Sequence, residues 1–345
     1  MQYNLLPNTD IKISKICLGT MTYGNQNTER EGHEQMDYAF ENGINFFDTA
    51  ELYPVPASAK TQGETERIIG TWFKKKGNRD KVILASKVAG PGDYTKHIRK
   101  NMGFTKKHID KAIESSLKRL QTEYIDLYQL HWPERRTNTF GIRGFIYSDS
   151  DPWKENFEEV LDALNYHLKL GNIRHIGLSN ENPWGIMRFL NSSKSLKTKM
   201  ITVQNPYSLL NRQFEVGSSE ICHREKIKLL AYSPLGFGVL TGKYLNNKKP
   251  KNSRLTLFPN FKRYSSPQSF AATERYASLA LDYGISITQM ALSFVNDRSF
   301  VCSNIIGATN MDQLKENISS FKIVLSKSIL NEIERIHNEI PDPAP

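Results

Sequence analysis

The sequence predicts a single-domain (β/α)8 barrel, or TIM barrel, that covers residues 1–345. Short apolar or β-branched runs alternate with amphipathic stretches of helical length, which is typical of a parallel sheet covered by helices. The chain contains eight such runs, and this number favours closure into a barrel. An open, doubly wound sheet would need a glycine-rich turn after an early strand, but no G-x-G-x-x-G motif occurs there.

The predicted strands are short buried runs, because parallel strands covered on both faces are apolar almost throughout. In chain order they are Ile16–Leu18, Ile44–Phe47, Val82–Ala85, Ile125–Tyr128, Ile173–Ile176, Ile201–Val203, Lys228–Ala231 and Asn304–Ile306. Amphipathic helices are predicted between them, among others at Glu64–Lys75, Thr105–Leu120 and Phe157–Leu170. Helix C-caps are expected at Gly43, Gly171 and Gly284, since glycine adopts the left-handed conformation readily.

Three segments fall outside this alternation. Residues Met1–Ile13 are expected to form a β-hairpin that closes the floor of the barrel. Long inserts, Pro133–Pro152 and Gly236–Gln268, follow the fourth and seventh strands, where each strand gives way to a helix. This end of a barrel carries the active site, so both inserts are predicted to cover a substrate.

The composition narrows the class of protein. Hydrophobic residues make up 39% of the chain and charged residues 24%, without the run of roughly 18 apolar residues that a membrane helix needs. The net charge of +10 is scattered, which argues against nucleic-acid binding but suits an anionic cofactor. Because Cys17, Cys222 and Cys302 are far apart and form no C-x-x-C pair, neither a disulfide framework nor a metal site is predicted. The N-terminus lacks the pattern of a signal peptide, so a cytoplasmic location is expected.

Polar residues stand at the ends of three consecutive strands. Asp48 ends the second, Lys87 the third and His131 the fourth, and Tyr53 follows Asp48 after five residues. Each has an ordinary explanation by itself, such as a helix cap, a solvated lysine or a packed aromatic ring. Neighbouring strand ends share one rim of a barrel, however, so the four side chains are predicted to meet there.

Together these four groups suit proton transfer. Free tyrosine has a pKa of about 10 and donates a proton poorly near neutrality. A neighbouring Lys87 ammonium is expected to lower the pKa of Tyr53, and Asp48 would hold that ammonium in a buried position. His131 would orient the oxygen of a substrate. No nucleophile is required, and an electron source is still missing.

The chain is similar to the aldo-keto reductase family from end to end, and most closely to its bacterial Tas-type NADPH-dependent members. The stretch from Gly43 to Tyr53 resembles the Asp-Tyr signature of the family. Ala85-Ser86-Lys87 and Leu130-His131-Trp132-Pro133 resemble its lysine and histidine motifs. The resemblance implies a catalytic tetrad of Asp48, Tyr53, Lys87 and His131, with Tyr53 as general acid and NADP(H) as cofactor.

The resemblance also implies the cofactor-binding residues. They are Ser179, Asn180, Gln204, Tyr232, Ser233, Pro234, Leu235, Gly236, Gly238, Lys243, Arg254, Gly307, Thr309, Gln313 and Asn317. The first three match residues that hold the nicotinamide carboxamide, and Tyr232 matches a tyrosine that stacks on its ring. The run from Ser233 to Lys243 resembles a loop over the pyrophosphate, whose glycines let backbone N–H groups approach phosphate.

Two positions concern the choice between NADPH and NADH. Many relatives carry Arg or Lys near the position of Thr309 for the 2′-phosphate, and this chain does not. Lys243 and Arg254 instead match the positions that bind this phosphate in the potassium-channel β-subunit branch. The resemblance therefore implies NADPH.

The expected substrate is a small carbonyl compound that contacts Tyr23 and Trp132. Four further aromatic residues in or beside the first insert could line an apolar pocket or pack in the core: Phe140, Phe145, Tyr147 and Trp153. Two other functions stay open, an NADPH-occupied accessory or sensor subunit with little turnover and a basic nucleic-acid binder. The identity of the substrate and the oligomeric state are not readable from the sequence.

Overall fold

In the computed structural model, which describes residues 1–196 and 199–344, eight parallel strands close a barrel with β10 paired to both β3 and β9. Two further strands form an antiparallel hairpin. The strands are β1 (Tyr3–Leu5), β2 (Lys12–Ser14), β3 (Ile16–Gly19), β4 (Phe46–Asp48), β5 (Ile83–Val88), β6 (Ile125–Leu130), β7 (Ile173–Ser179), β8 (Met200–Pro206), β9 (Lys228–Tyr232) and β10 (Val301–Ile306). Each predicted barrel strand is present, and the (β/α)8 prediction is confirmed.

Helices cover the outside of the barrel and follow the strands in turn. They are α1 (Glu29–Glu41), α2 (Glu64–Lys76), α3 (Lys106–Leu120), α4 (Phe157–Leu170), α5 (Pro183–Leu196), α6 (Gln213–Gly217), α7 (Ser219–Glu225), α8 (Arg254–Leu257), α9 (Pro267–Asp282), α10 (Ile287–Asn296), α11 (Met311–Ser319) and α12 (Lys327–Glu339). Gly43, Gly171 and Gly284 follow helices with positive φ, as predicted. Within the described part of the chain, no helix has the length and apolar character that a membrane crossing requires.

The N-terminal hairpin closes one end of the barrel, as predicted. β1 pairs with β2 in the register Asn4 opposite Ile13. Leu6 and Ile13 are fully buried and pack against inward-facing residues near the starts of the strands, among them Phe46 and Leu127. The amide Nδ2 of Asn4 donates to the carbonyl of Cys302 at 2.8 Å, which joins the hairpin to β10. The hairpin leaves the other end of the barrel for the predicted site.

Alternation along the strands decides which side chains point into the barrel. Successive side chains of a strand face opposite sides. On β5, Ala85 belongs to the interior cluster, whereas Leu84 and Val88 pack outward against the helices. Lys87, two residues after Ala85, therefore points inward, and Asp48 does the same two residues after the interior Phe46. The interior is apolar near the hairpin and becomes polar one layer further on.

The two long inserts are present at the predicted end. One runs from β6 to α4, and the other runs from β9 to α9 and contains the short helix α8. The C-terminal segment crosses between them, since Arg143 in the first insert donates to the carbonyl of Asp342 and Ser266 in the second donates to that of Pro343. Both inserts and this segment border the same cleft.

Candidate active site

Lys87 lies at the centre of a buried group of polar side chains. Its Nζ donates to Asp48 Oδ1 at 2.5 Å and to the carbonyl of Thr49 at 2.8 Å. A third, longer contact of 3.4 Å joins it to the hydroxyl oxygen of Tyr53. Lys87 is completely buried and Asp48 nearly so, whereas Tyr53 is 9% exposed and is the most accessible of the three. The three predicted residues do come together, with Tyr53 at the cleft.

The segment that carries Tyr53 is held against β5 by its backbone. The N–H of Thr49 donates to the carbonyl of Ala85 at 2.9 Å, and that of Glu51 donates to the carbonyl of Lys87 at 3.2 Å. These bonds continue the pairing of β4 with β5 beyond the last residue of β4. The tyrosine is thus fixed relative to the lysine through main-chain contacts as well as through the side chains.

Burial and charge act in opposite directions on these groups. Burial alone would lower the pKa of Lys87, but the carboxylate of Asp48 and then Tyr53 act against it, and the net pKa of Lys87 is raised. Lys87 is therefore an ammonium at neutral pH. Burial raises the pKa of Tyr53, and Lys87 only partly opposes this effect. The expectation that Lys87 would bring the pKa of Tyr53 below its ordinary value is wrong, because desolvation of the phenolate is the larger effect.

His131 lies beside Tyr53 and is neutral. The two rings are 5.6 Å apart between centroids in an edge-to-face arrangement. Burial, followed by repulsion from Lys87, holds the pKa of His131 well below its usual range. Among the described residues, its ring Nδ1 has no hydrogen-bond partner. A neutral imidazole in this position can donate or accept one hydrogen bond at the cleft, but it carries no charge.

The second oxygen of Asp48 contacts two buried amides. Gln204 Nε2 donates to Asp48 Oδ2 at 2.8 Å, and Gln129 Nε2 lies 3.4 Å from the same oxygen. Gln129 is a residue that the sequence analysis missed. A signal was present, because Gln129 stands two residues before His131 in the otherwise apolar end of β6 and so shares its face of the strand.

Asn180 connects His131 to the predicted nicotinamide site. Its Nδ2 donates to the carbonyl of His131 at 2.8 Å and to Ser179 Oγ at 3.1 Å. Its Oδ1 accepts a hydrogen bond from the Tyr232 hydroxyl. Asn180 has a φ of 53°, a conformation that asparagine tolerates better than most residues. Ser179 donates its hydroxyl to the carbonyl of Gln204 and lies behind Asn180, away from the cleft wall.

A cleft of about 2090 Å³ opens above these residues. It is larger than the roughly 300–1,000 Å³ typical of a site for a small ligand, so it has room for a dinucleotide together with a substrate. Predicted residues that line it are Asp48, Tyr53, His131, Trp132, Asn180, Gln204, Tyr232, Ser233, Pro234, Leu235, Gly238, Lys243, Arg254, Gly307, Thr309, Gln313 and Asn317. Lys87, Ser179 and Gly236 stand behind this wall.

The loop after β9 places two cations side by side in the cleft. Burial, followed by repulsion from Arg254, lowers the pKa of Lys243. Across residues 1–196 and 199–344, no carboxylate pairs with either side chain. A Cβ at position 238 would come within 2.9 Å of Lys243 Nζ, so Gly238 leaves room for this ammonium. Two unpaired, partly buried cations fit a phosphate group.

Gly236 and Gly238 shape the backbone of this loop. The N–H of Gly236 donates to the carbonyl of Ser233 and that of Gly238 to the carbonyl of Leu235, both at 2.9 Å. Gly236 and Gly238 have φ values of 52° and 88° and so close tight turns inside the loop. Their own N–H groups are therefore hydrogen-bonded within the loop, and the approach of its other N–H groups to a phosphate stays a prediction.

The turn after β10 is held by the two predicted residues of α11. Gln313 Oε1 accepts from the N–H of Thr309 at 3.0 Å, and Asn317 Nδ2 donates to the carbonyl of Gly307 at 3.0 Å. The N-terminal end of a helix of nine residues faces the cleft here. Such an end favours anions, because its first N–H groups lack partners within the helix.

The two predicted substrate residues lie in different places. Trp132 borders the cleft, and its ring packs against Phe140 with 5.7 Å between centroids. Tyr23 is completely buried in the core between the barrel and the helices, and its hydroxyl donates to Gln35 Oε1. The prediction for Tyr23 is therefore wrong, because the turn after β3 directs Met21 and Thr22, rather than Tyr23, to the cleft.

Of the four further aromatic candidates, only Phe140 lines the cleft. Phe145 and Tyr147 are 64% and 78% exposed on the outside of the insert. Trp153 packs edge-to-face on Phe157 of α4 and thus belongs to the packing of the helices.

The comparison with protein families agrees with this geometry. A model described as the Aldo/keto reductase family matches residues 15–338, nearly the whole chain. The chain belongs to the aldo/keto reductase family. Membership of this family makes the protein an oxidoreductase. The resemblance that its motifs indicated is confirmed.

The alignments with individual relatives cover most of the chain of this aldo/keto reductase. It is 49% identical to Protein tas of Escherichia coli (strain K12) over 347 residues, which cover 100% of both chains. It is 39% identical to the Aldo-keto reductase of Babesia bovis, over 76% of this chain and 98% of the relative. It is also 28% identical to a protein of Arabidopsis thaliana named probable voltage-gated potassium channel subunit beta, over 99% and 98% of the two chains.

Proposed function

We propose that the protein reduces small aldehydes or ketones to alcohols with NADPH, and that Tyr53 donates the proton. The observation that carries this proposal is the chain of contacts from Asp48 through Lys87 to Tyr53, which ends at the wall of a dinucleotide-sized cleft. Tyr53 is the member of this chain that can reach a substrate. Its raised pKa keeps it protonated at neutral pH, and the Lys87 ammonium would favour donation by stabilising the phenolate that forms.

The cofactor would lie along the cleft from Gln204 to α11. Asn180, Gln204 and Tyr232 would hold its nicotinamide end, and Lys243 and Arg254 would bind the phosphate that distinguishes NADPH from NADH. When bound, NADPH supplies the hydride that adds to the carbonyl carbon. The two cations support NADPH, since without an anion they repel each other in a partly buried place.

The side chains around Tyr53 would then complete the reduction. As the carbonyl oxygen gains negative charge, the O–H bond of Tyr53 breaks and its proton moves to this oxygen. The Lys87 ammonium stabilises the phenolate left behind, and Asp48 keeps the ammonium in place. Neutral His131 would hydrogen-bond the substrate oxygen and position it beside the Tyr53 hydroxyl.

The direct test is Tyr53→Phe with Tyr23→Phe as its matched control. Each variant removes one hydroxyl from a buried tyrosine, but only that of Tyr53 faces the cleft. The oxidation of NADPH is followed at 340 nm over a panel of aldehydes and ketones. Tyr53→Phe should reduce turnover about 10²–10⁴-fold, the usual worth of general-acid catalysis, and should retain NADPH binding. Equal turnover of the two variants would remove Tyr53 from its role.

An accessory role with little turnover is the second candidate, favoured by the relative named as a channel subunit. The two functions differ in what the wild-type chain does with NADPH. Negligible turnover over the whole panel, together with stoichiometric recovery of a membrane protein in a pull-down, would favour the accessory role.

A further inference from the structure

Two residues behind the active site form an ion pair that the proposed reaction does not use. Glu51 lies between Asp48 and Tyr53, and its side chain is 1% exposed. Its two carboxylate oxygens accept one hydrogen bond each from Arg99, both at 2.6 Å. Arg99 comes from the loop after β5, 48 residues further along the chain. Such a two-pronged contact fixes both the distance and the orientation of the partners.

The same carboxylate also holds the end of β5. Glu51 Oε1 accepts a hydrogen bond from the N–H of Ala89 at 2.6 Å. The backbone N–H of Glu51 donates to the carbonyl of Lys87 at 3.2 Å. Glu51 therefore contacts the main chain on both sides of Val88, beside the residue whose ammonium contacts Tyr53. We call Glu51, Arg99 and the N–H of Ala89 the Glu51 clamp.

The contact that this clamp would control is long and sensitive to distance. Lys87 Nζ and the hydroxyl oxygen of Tyr53 are 3.4 Å apart. An increase of about 1 Å would weaken the attraction between ammonium and phenolate by about a quarter, because the Coulomb energy varies as the inverse of the distance. Displacements of this size are enough to slow catalysis about 10²-fold.

We propose that Glu51, oriented by Arg99, is a positioning residue that sets the distance between Tyr53 and Lys87. This inference rests on the proposed role of Tyr53 as proton donor. Glu51 does not line the cleft, and its carboxylate contacts Arg99 and the N–H of Ala89 rather than the side chains of Tyr53 or Lys87, so it would act through the two segments that it joins.

Other charged and titratable groups also face Tyr53, and the test must leave them in place. Asp48 on β4, Lys87 on β5 and Tyr232 on β9 act on its pKa. His131 at the end of β6 packs against its ring, and Arg254 in the second insert is close enough to interact with it electrostatically. None of these side chains contacts the carboxylate of Glu51.

The chain offers a closely matched control at the opposite end of β5. Asp126 is also 1% exposed and pairs with Arg79 at 2.7 Å and, less closely, with the half-exposed Arg174 at 3.2 Å. Its Oδ2 accepts a hydrogen bond from the N–H of Leu84 at 3.0 Å. Asp126 therefore joins a buried ion pair to the backbone of the same strand, but at the hairpin end and far from Tyr53 along β5.

The experiment compares Glu51→Gln with Asp126→Asn in two measurements. Tyrosine labelled with ¹³C at Cζ gives 15 resonances, and Tyr53→Phe identifies that of Tyr53. Its chemical shift is followed from neutral to alkaline pH without cofactor, so this readout does not depend on turnover. The pH dependence of kcat and KM is then measured with NADPH and the best aldehyde of the panel.

Glu51→Gln should move the Tyr53 resonance and raise its titration midpoint by about half a pH unit or more, because Lys87 is held less closely. Turnover should fall about 10- to 100-fold with little change in KM for the aldehyde. Asp126→Asn should leave the Tyr53 resonance and kcat unchanged. The proposal is overturned when both variants affect Tyr53 equally or when neither moves its resonance.

A second pair of variants covers a failure to fold. Glu51→Gln leaves the Arg99 charge buried without its partner, whereas Glu51→Gln with Arg99→Met removes both charges, which proteins tolerate better. Its control is Asp126→Asn with Arg79→Met. A wild-type chain without turnover would refute the proposed function, and the Tyr53 resonance would still decide whether the clamp positions this residue.

Discussion

Replacing Arg254 with Gln should shift the cofactor preference of the protein away from NADPH and towards NADH. Arg254 lines the cleft beside Lys243, and no carboxylate within the described residues neutralises either one. Their proposed partner is the phosphate on the adenosine ribose of NADPH, which NADH lacks. The substitution keeps a polar side chain but shortens it and removes the charge.

The expected magnitude follows from the loss of one charge-assisted contact. A hydrogen bond to a charged group is worth about 1.5–3 kcal/mol. Since each 1.4 kcal/mol corresponds to a factor of 10, the Kd of NADPH should rise by about 10- to 150-fold. The Kd of NADH should stay within about twofold of wild type, because NADH makes no such contact.

The substitution that weakens NADPH binding should not weaken the stability of the cofactor-free protein. Arg254 contributes to the lowered pKa of Lys243, and burial lowers the pKa of Arg254 itself. Removing Arg254 relieves repulsion between the two cations, so the pKa of Lys243 should rise and the melting temperature should not fall. The variant should therefore bind NADPH less tightly and yet be no less stable.

The assay is a fluorescence titration of both dinucleotides, with Lys262→Gln as the control. Lys262 is an exposed cation that also borders the cleft, and its loss tests for a general effect of charge. Equal weakening of NADPH and NADH by Arg254→Gln would refute the assignment. So would a loss of NADPH affinity in Lys262→Gln as large as that in Arg254→Gln.

Three further predictions concern the buried centre. Lys87→Met should lower the free energy of unfolding, measured by chemical denaturation, by about 3–5 kcal/mol, because Asp48 becomes an unpaired buried charge. Adding Asp48→Asn should restore much of the stability but not the turnover. Because burial raises the pKa of Tyr53, kcat/KM for reduction should stay constant through neutral pH and fall only above pH ~10, where the donor loses its proton. A fall near pH 7 would contradict the conclusion that burial outweighs the effect of Lys87 on this pKa. Gln129→Leu removes two long contacts, of 3.3 Å to Gln204 and of 3.4 Å to Asp48. It should therefore lower turnover by less than about tenfold. A larger loss in steady-state assays would show that Gln129 contributes more to turnover than these contact distances indicate.

The sequence predicted the barrel well because the signals involved are local. Runs such as Ile16–Leu18 and Val82–Ala85 are apolar whatever their surroundings, and the strands extend only one to three residues beyond them, to Gly19 and Val88. Glycines that end helices, such as Gly171, can be recognised in the sequence because the positive φ found there is a conformation that glycine adopts more readily than other residues. The order of these elements then leaves few ways to pack them.

The candidate site was predicted in outline, for a similar reason. Once the strands are placed, Asp48, Lys87 and His131 must share one rim, and the structure puts Lys87 between Asp48 and Tyr53. The direction of the pKa of Tyr53 could not be predicted. It depends on how completely the surrounding atoms exclude water, and no single residue carries that information.

By itself, the sequence determined the fold, the family and the group of four polar residues at one end of the barrel. Only the tertiary structure decided that Tyr23 lies in the core, that Gln129 reaches Asp48 and that Arg99 holds Glu51. The physical reason is the range of the interactions involved. Backbone conformation and apolar alternation act over a few residues, whereas a buried side chain takes its partners and its charge from segments that are distant along the chain and meet only in the folded protein.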